Sequence, residues 1–549
     1  MAAPKVCAAL AGRNLEDDLQ RVGRTNDMLP PREDDKVAGR IPKRFVQALS
    51  LNVSENSYEP APASFVYVPK TRFATRPAAL LTLADRVVFE ALLEPMRPKI
   101  EAYLVSDGVV FWPRGSVTEK RWDEFEAAPV ASGGGHVVVA DVAGFYESID
   151  HAQLRRVLVS AGVAVADAEA LEEFLRSVMR SSKGLPQGVA TSDPLATIYL
   201  AAADAAVRRT GAGYWRHGDD IRMAASTFAE ARRAINTLEA ALRDSGLLMN
   251  AAKLRVLRFA TYAEHQADLE KARDDFRTRL LEARKEAIRN SEEPEELEEL
   301  MHAANVDEDM QWGFWYHHNI DINEVLEALN EHIAPSLLEV QREMFKDAMR
   351  RRPGTPDGLS RELWHARVAY CLRRFAAARS NAALPYAGDL LVRYPEETQF
   401  VASYLLSLVD AQPSRVAQAV EHGLDNSEFL LGWQRGWLYR VLSRVAHQVT
   451  DGTLTEASRV MRSQDHDWLA RVEAARLLGV RSRLTADDVN SLYRNAPSAF
   501  RTDLFAIAAE LEDAAPWAQA FLDGAKQDAL AAVVIDAVRA KQAQRSSSS

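Results

Sequence analysis

Polar and apolar positions follow two rhythms along this chain. From Ser64, "SFVYVPKTRFATRPAALLTLADRVVFEALLEPM" passes from a strand-like run into a pattern that predicts an amphipathic helix around Leu83–Met96. Residues 136–141, "HVVVAD", are apolar and β-branched and end on a carboxylate, which predicts a buried strand. Helical spacing follows in "HAQLRRVLVSAG" and "ADAEALEEFLRSVM". Gly and Pro mark "SSKGLPQGVATSDP" as a loop, and "LATIYLAAADAAVRR" predicts one apolar helix after it. "GYWRHGDDIRMAAS" reads as a hairpin with Gly-Asp-Asp at its turn. "FAEARRAINTLEAALRDSG" is strongly amphipathic and is closed by Gly246. Strands and helices thus interleave up to Tyr262, as in a small α+β sheet domain.

Elsewhere the pattern differs. The first sixty or so residues are polar and Pro-rich, with few clear periodicities. After Tyr262 comes a long charged helical stretch ending in acidic residues, then a Trp/Tyr cluster at 312–316. From about 330 to 540 one apolar-faced helix follows another without a convincing strand, which suggests a HEAT-like solenoid, although no fixed repeat length emerges. The boundaries expected are an N-terminal extension at 1–64, a sheet domain at 65–262, a helical connector at 263–330, a helical-repeat domain at 331–540 and a disordered tail at 541–549.

A chain of 549 residues is too long for one core, in keeping with that division. With 47% hydrophobic and 26% charged residues its composition is that of an ordinary globular protein. Cys7 and Cys371 are too few and too far apart for a disulfide framework or a Cys-rich zinc site. The N-terminal "MAAPKVCAALAGRNLEDDLQ" makes a poor signal peptide, and no stretch approaches the roughly 20 apolar residues a bilayer requires. A cytoplasmic location with no membrane partner is expected. The net charge of −11 weighs against a nucleic-acid partner, yet only the binding groove has to be basic.

The chemistry concentrates in the doublet Asp219-Asp220. Adjacent carboxylates repel and are costly to bury, and a divalent cation between them relieves both costs. Asp141 ends the predicted strand upstream. If that strand lies beside the hairpin, the carboxylates converge and can hold two Mg²⁺ ions about 4 Å apart, as in-line phosphoryl displacement requires, with Mn²⁺ as an alternative. One ion would activate the attacking hydroxyl and the other would hold the triphosphate and the leaving pyrophosphate. Alone, each feature is ordinary, a turn aspartate or a solvated pair. Their order and context carry the argument.

"VVVADVAGFYESIDH", "GLPQGVATSDPLATIYL", "YWRHGDDIRM" and "GLLMNAAKLRVLRF" resemble, in order, four successive palm motifs of reverse transcriptases. "VPKTRFATRP" and "DRVVFEALL" resemble their fingers, so the likeness covers roughly residues 65–260. It implies that Asp141, Asp219 and Asp220 are the catalytic metal ligands. Tyr146 falls at the sugar gate that excludes a 2′-hydroxyl, the plainer alternative being a core tyrosine. Gln187 and Gly188 would lie along the incoming nucleotide and template. Lys70 and Arg76 would grip the triphosphate, whereas Arg72 has no clear counterpart. Lys253 would protonate pyrophosphate, or is a surface lysine. The family usually carries Tyr-Ala-Asp-Asp where this chain has His217-Gly218-Asp219-Asp220, and Gly-Asp-Asp also occurs in RNA-dependent RNA polymerases.

A palm running directly into a helical array in place of a thumb is similar to the AbiK-like abortive-infection reverse transcriptases. That resemblance implies antiphage defence, DNA synthesis from dNTPs without a conventional template, priming from a protein hydroxyl, a single-stranded DNA product and homo-oligomers. Tyr58, in "SENSYEPAP", is the candidate primer. One alternative is templated copying of a specific non-coding RNA, and another is a partner-binding helical scaffold with a degenerate palm. The aromatic segments "MQWGFWYHHN" and "LLGWQRGWLYRVL" could stack bases but at helical spacing fit a core better, and "MRRRP" and "CLRRF" line either an exit groove or solvated helix faces.

Overall fold

The computed structural model describes residues 3–22, 28–33, 42–71, 73–105, 110–111, 122–267, 335–427, 429–513, 515–526 and 529–546. The expected connector beyond residue 267, the aromatic cluster at 312–316, Arg72 and the last three tail residues lie outside these.

The described residues of the N-terminal stretch include the helices α1 (Pro4–Leu10), α2 (Glu16–Arg21) and α3 (Pro42–Ser54). Their apolar positions, among them Val6, Leu10, Leu19, Phe45 and Leu49, are buried in the same core as the sheet domain. Short helices gain little from propensity alone, so this packing is what holds them. A hairpin follows, β1 (Ser64–Pro69) paired antiparallel with β2 (Thr75–Leu80).

Helix α4 (Leu83–Leu93) departs from expectation: it is buried on every side, not amphipathic. Its charged residues find partners from distant segments. Asp85 accepts from the Tyr58 hydroxyl at 2.6 Å, and Glu90 accepts from Arg97 at 2.6 Å and from Thr191 at 2.8 Å. Helix α5 (Arg97–Val105), β3 (Val110–Phe111) and α6 (Trp122–Ser132) lead into the central strand β4 (His136–Ala143).

Beyond β4 come α7 (Phe145–Ser148), α8 (His151–Ser160) and α9 (Val165–Met179). The apolar run then forms two helices rather than one, α10 (Ser192–Tyr199) and α11 (Ala201–Arg208), broken at Leu200. At this break the Thr197 carbonyl accepts from Arg216 at 3.0 Å. The hairpin β5 (Gly213–His217) and β6 (Asp220–Ala225) leads to α12 (Phe228–Asp244), which starts in a Thr227/Glu230 capping box and buries Ala231, Ala234, Ile235, Leu238 and Leu242 along one face. Strands β7 (Leu248–Met249) and β8 (Arg255–Arg258) complete a sheet of order β3-β5-β6-β4-β7, with β8 also on β4.

The second half is helical throughout its described residues: α13 (Pro335–Arg350), α14 (Arg361–Ala377), α15 (Leu384–Arg393), α16 (Thr398–Leu406), α17 (Pro413–Asn426), α18 (Gly432–Arg444), α19 (Asp451–Arg462), α20 (Trp468–Val480), α21 (Ala486–Asn495), α22 (Ser498–Glu510), α23 (Pro516–Ala525) and α24 (Ala529–Ser546). Helices α14, α16, α18, α20, α22 and α24 contact one another in succession as one layer. Trp433, Trp437 and Tyr439 are core residues, not base-stacking platforms. The basic stretches are absorbed too, since Arg352 pairs with Asp389 at 2.7 Å and Arg373 and Arg374 lie over Phe400 and Tyr370. The array is no appendage. Val66, Val68, Ala78 and Leu80 of the β1–β2 hairpin share its core, while Ile535 and Val538 of α24 join the core of the sheet domain.

Candidate active site

The ladder between β4 and β6 sets Asp141 directly opposite Asp220, and Asp219 occupies the adjoining turn. Antiparallel partners stand about 5 Å apart at Cα, so the three carboxylates share one end of the sheet. The two-residue turn between His217 and Asp220 needs a positive φ at its first position, which Gly218 supplies at +59°. The sequence thereby brings the doublet to the hairpin tip.

Two residues clasp Asp141. Lys253 donates from Nζ to Oδ1 at 2.8 Å, and Asn250 donates from Nδ2 to Oδ2 at 2.8 Å. The backbone N–H of Asn250 also donates to the Asp141 carbonyl at 2.8 Å, which docks the "NAAK" turn on β4. Burial works against the Lys253 ammonium, but its hydrogen bond to Asp141 outweighs this and holds it above the ordinary lysine range. Burial raises the Asp219 carboxyl, and the charge of Asp141 adds to the rise while Lys253 and Lys70 oppose it. Burial, then the neighbouring Asp219 charge, raises Asp220 to about 6. Arg76 faces the same point: burial lowers its guanidinium and the Asp219 charge works against that.

Of the other expected residues, Gln187 and Gly188 lie in a loop, Tyr146 in α7 and Lys70 just past β1. The Gln187 carbonyl accepts from Ala79 of β2 at 2.9 Å, and Leu185 donates its N–H to the Tyr146 carbonyl at 2.8 Å. Gly188 takes φ +85°, which suits glycine, and Ser192 holds the loop by donating to the Pro186 carbonyl at 2.8 Å. Tyr146 is half-buried, and its hydroxyl donates to Asp193 at 2.8 Å. Lys70 is exposed at the end of β1. His217, where the resemblance expects tyrosine, is buried edge-on to Trp122 with ring centroids 5.1 Å apart.

Residues 68–288 match the family model for reverse transcriptase (RNA-dependent DNA polymerase). This part of the chain is a reverse transcriptase domain. The match indicates a domain of the RNA-directed DNA polymerase-like nucleotidyltransferase kind. Protein YkfC of Escherichia coli (strain K12) is 25% identical over 167 residues, covering 28% of this chain and 43% of that protein, so the chain spans under half the length of this curated relative. The structure of telomerase from Candida albicans in complex with a TWJ fragment of telomeric RNA is similar at TM-score 0.31 and 10% identity, over 78% of this chain and 67% of that one. No helix among the described residues is long and apolar enough to cross a membrane.

Reverse transcriptase domains generally use divalent metal ions, typically Mg²⁺. Among the described residues no three His, Cys, Asp or Glu side chains make a finished metal cage. The donor set still fits Mg²⁺, which is usually held by one or two carboxylates and completed by water and substrate phosphate. Asp219 and Asp220 are half-buried beside Asp141; burial raises both, and the Asp141 charge at Asp219 and the Asp219 charge at Asp220 add to the rise, the negative charge such an ion would balance.

Asn250, Asp204 and Arg216 escaped the sequence reading. Asn250 lies inside a quoted motif, beside Lys253. The buried Arg216–Asp204 pair left no local signal, because its partners meet only in the fold. Tyr58 is corrected. It is 3% exposed, its hydroxyl is bound to the buried Asp85, and it is a core residue that cannot serve as a primer.

Proposed function

We propose that this protein is a DNA polymerase of reverse-transcriptase type acting on dNTPs. The observation that carries the reading is the register of Asp141 opposite Asp220 with Asp219 at the adjoining turn, faced by Lys70, Arg76 and Lys253. Asp141, Asp219 and Asp220 would hold the divalent metal, Mg²⁺ or Mn²⁺, which when bound supplies charge neutralisation at the triphosphate and acidifies the attacking hydroxyl. Lys70 and Arg76 receive the triphosphate oxygens, where negative charge accumulates as pyrophosphate leaves. The Lys253 ammonium, held close to the centre by Asp141, is the proton donor to that pyrophosphate. The Tyr146 ring closes the space a 2′-hydroxyl would need, and its hydrogen bond to Asp193 fixes the ring. Gln187 and Gly188 line the nucleotide and template side.

The finer reading is antiphage defence by untemplated, protein-primed synthesis of single-stranded DNA in a homo-oligomeric, cytoplasmic assembly. It is supported by the large helical region that shares a core with the fingers hairpin. With Tyr58 buried, the priming hydroxyl would be another residue. One assay separates the options: the full chain is incubated with each labelled dNTP, with and without prior RNase treatment, and the product is sequenced and digested with protease. A homopolymer or random product that survives RNase treatment and is released by protease supports the finer reading. A defined cDNA lost after RNase treatment instead assigns the chain to templated copying of an RNA. No product under any condition contradicts polymerase activity.

A further inference from the structure

Residues 28–33, "MLPPRE", lie against the helical array like a bound peptide. The Met28 carbonyl accepts from the indole N–H of both Trp433 and Trp437 on α18. Leu29 is buried in the core of the array. Arg32, 3% exposed, donates to the Ala499 carbonyl on α22, pairs with Asp503 at 3.1 Å and lies 5.2 Å over the Phe500 ring. The Glu33 N–H donates to Asp503 at 3.5 Å, and its carboxylate acts on Arg476 of α20. The segment therefore crosses three successive helices of one layer, the kind of surface on which solenoids bind ligands.

The chemistry of this groove is selective. Two consecutive prolines carry no N–H, so the segment leaves few backbone donors to satisfy and little conformational entropy to lose on binding. Arg476 of the array is shared among several carboxylates. Arg440 and Arg476 face Glu473, Glu510 and Asp503, and Arg476 stands 4.0 Å from Asp503 against 3.3 Å from each of the other two carboxylates. Arg32 gives the buried Asp503 carboxylate a cation at 3.1 Å, closer than Arg476, while Glu33 of the segment lies towards Arg476. Two indole donors take the Met28 carbonyl, the array core takes Leu29, and the Phe500 face with Asp503 takes the guanidinium that follows the two prolines.

We propose that this face of the array is a peptide-recognition groove for a Pro-Pro-Arg motif, and that its ligand is residues 28–33 of the same chain. The segment is a latch. The array it grips also packs the apolar face of the β1–β2 hairpin, so latching steadies the hairpin that carries Lys70 and Arg76. This last consequence rests on the polymerase reading; the groove itself does not.

The test uses the full chain with Leu29→Ala and Arg32→Ala, and a labelled acetyl-Met-Leu-Pro-Pro-Arg-Glu-amide peptide. The wild type, already filled, should bind no peptide. The variant should melt at lower temperature, bind the peptide and regain thermal stability with it, and Asp503→Asn in the same background should weaken binding about tenfold or more. A variant with wild-type circular dichroism that binds no peptide, or that binds a Gln-for-Arg peptide equally well, overturns the proposal. If the double variant does not fold, Arg32→Gln, which keeps the aliphatic stem, is put to the same measurements. A raised KM for dNTP in the variant, lowered again by the peptide, supports the coupling to the fingers. An unchanged KM removes that coupling, and a chain that synthesises no DNA contradicts the polymerase reading while the binding arm still decides the groove.

Discussion

Arg216 and Asp204 form a bidentate ion pair in which neither side chain has any solvent exposure. Arg216 Nε donates to Asp204 Oδ1 at 2.8 Å and Nη2 to Oδ2 at 2.6 Å. Nη1 donates to the Gly218 carbonyl at 3.0 Å, so the pair anchors the turn immediately before Asp219. Tyr214 donates to the same aspartate at 2.6 Å.

Breaking a buried pair leaves an uncompensated charge, so Arg216→Ala should destabilise the fold by about 3–5 kcal/mol in thermal or urea unfolding. The double variant Arg216→Met/Asp204→Leu should recover much of that stability. It should not recover DNA synthesis, because the Gly218 carbonyl remains without its anchor. Full activity in the double variant would show that the pair serves stability alone.

Asn250 acts on Asp141 from behind. Asn250→Ala removes the donor that orients one carboxylate oxygen, and the Mg²⁺ concentration giving half-maximal synthesis should rise about tenfold or more. A metal titration of dNTP incorporation reads this directly.

Tyr146→Ala should open the space beside the incoming sugar. Competition between a dNTP and the matching rNTP should show discrimination falling at least about tenfold, with dNTP use less affected. Unchanged discrimination would make Tyr146 a structural tyrosine.

Asp85 gives a pH signature away from the active site. Burial raises its folded-state pKa to about 6, against the hydrogen bonds from Thr82, Tyr58 and Ala61. A carboxyl raised on folding contributes stability that is present below its unfolded pKa of about 4 and is lost as pH rises through about 6. Relative to wild type, Asp85→Asn should therefore gain about 2 kcal/mol between pH 4.5 and 7.5 in urea unfolding. Tyr58→Phe should weaken the fold but leave any covalent protein–DNA link intact.

The local parts of this architecture were legible. The valines of β4, the β5–β6 hairpin and the Thr227-capped α12 carry their periodicity in short windows, and three carboxylates on two such elements pointed to the candidate site. The misses were long-range. The charges of α4 looked like a solvent face because Tyr58 and Thr191, which bind Asp85 and Glu90, are remote in sequence. Of the N-terminal helices, α1 and α2 are too short to show a period, whereas α3 carries one at Phe45, Val46, Leu49 and Val53 that its polar, Pro-rich surroundings obscured. The break at Leu200 lies beside a carbonyl that accepts from Arg216. Tyr58 looked mobile among polar neighbours, but Asp85 buries it.

The proposed polymerase chemistry turns on the carboxylate at the hairpin tip. Purified full-length protein with Mg²⁺ and labelled dNTPs should make DNA, and Asp219→Ala, folded by circular dichroism, should lose it by about three orders of magnitude. Wild-type synthesis by the folded Asp219→Ala protein would contradict it.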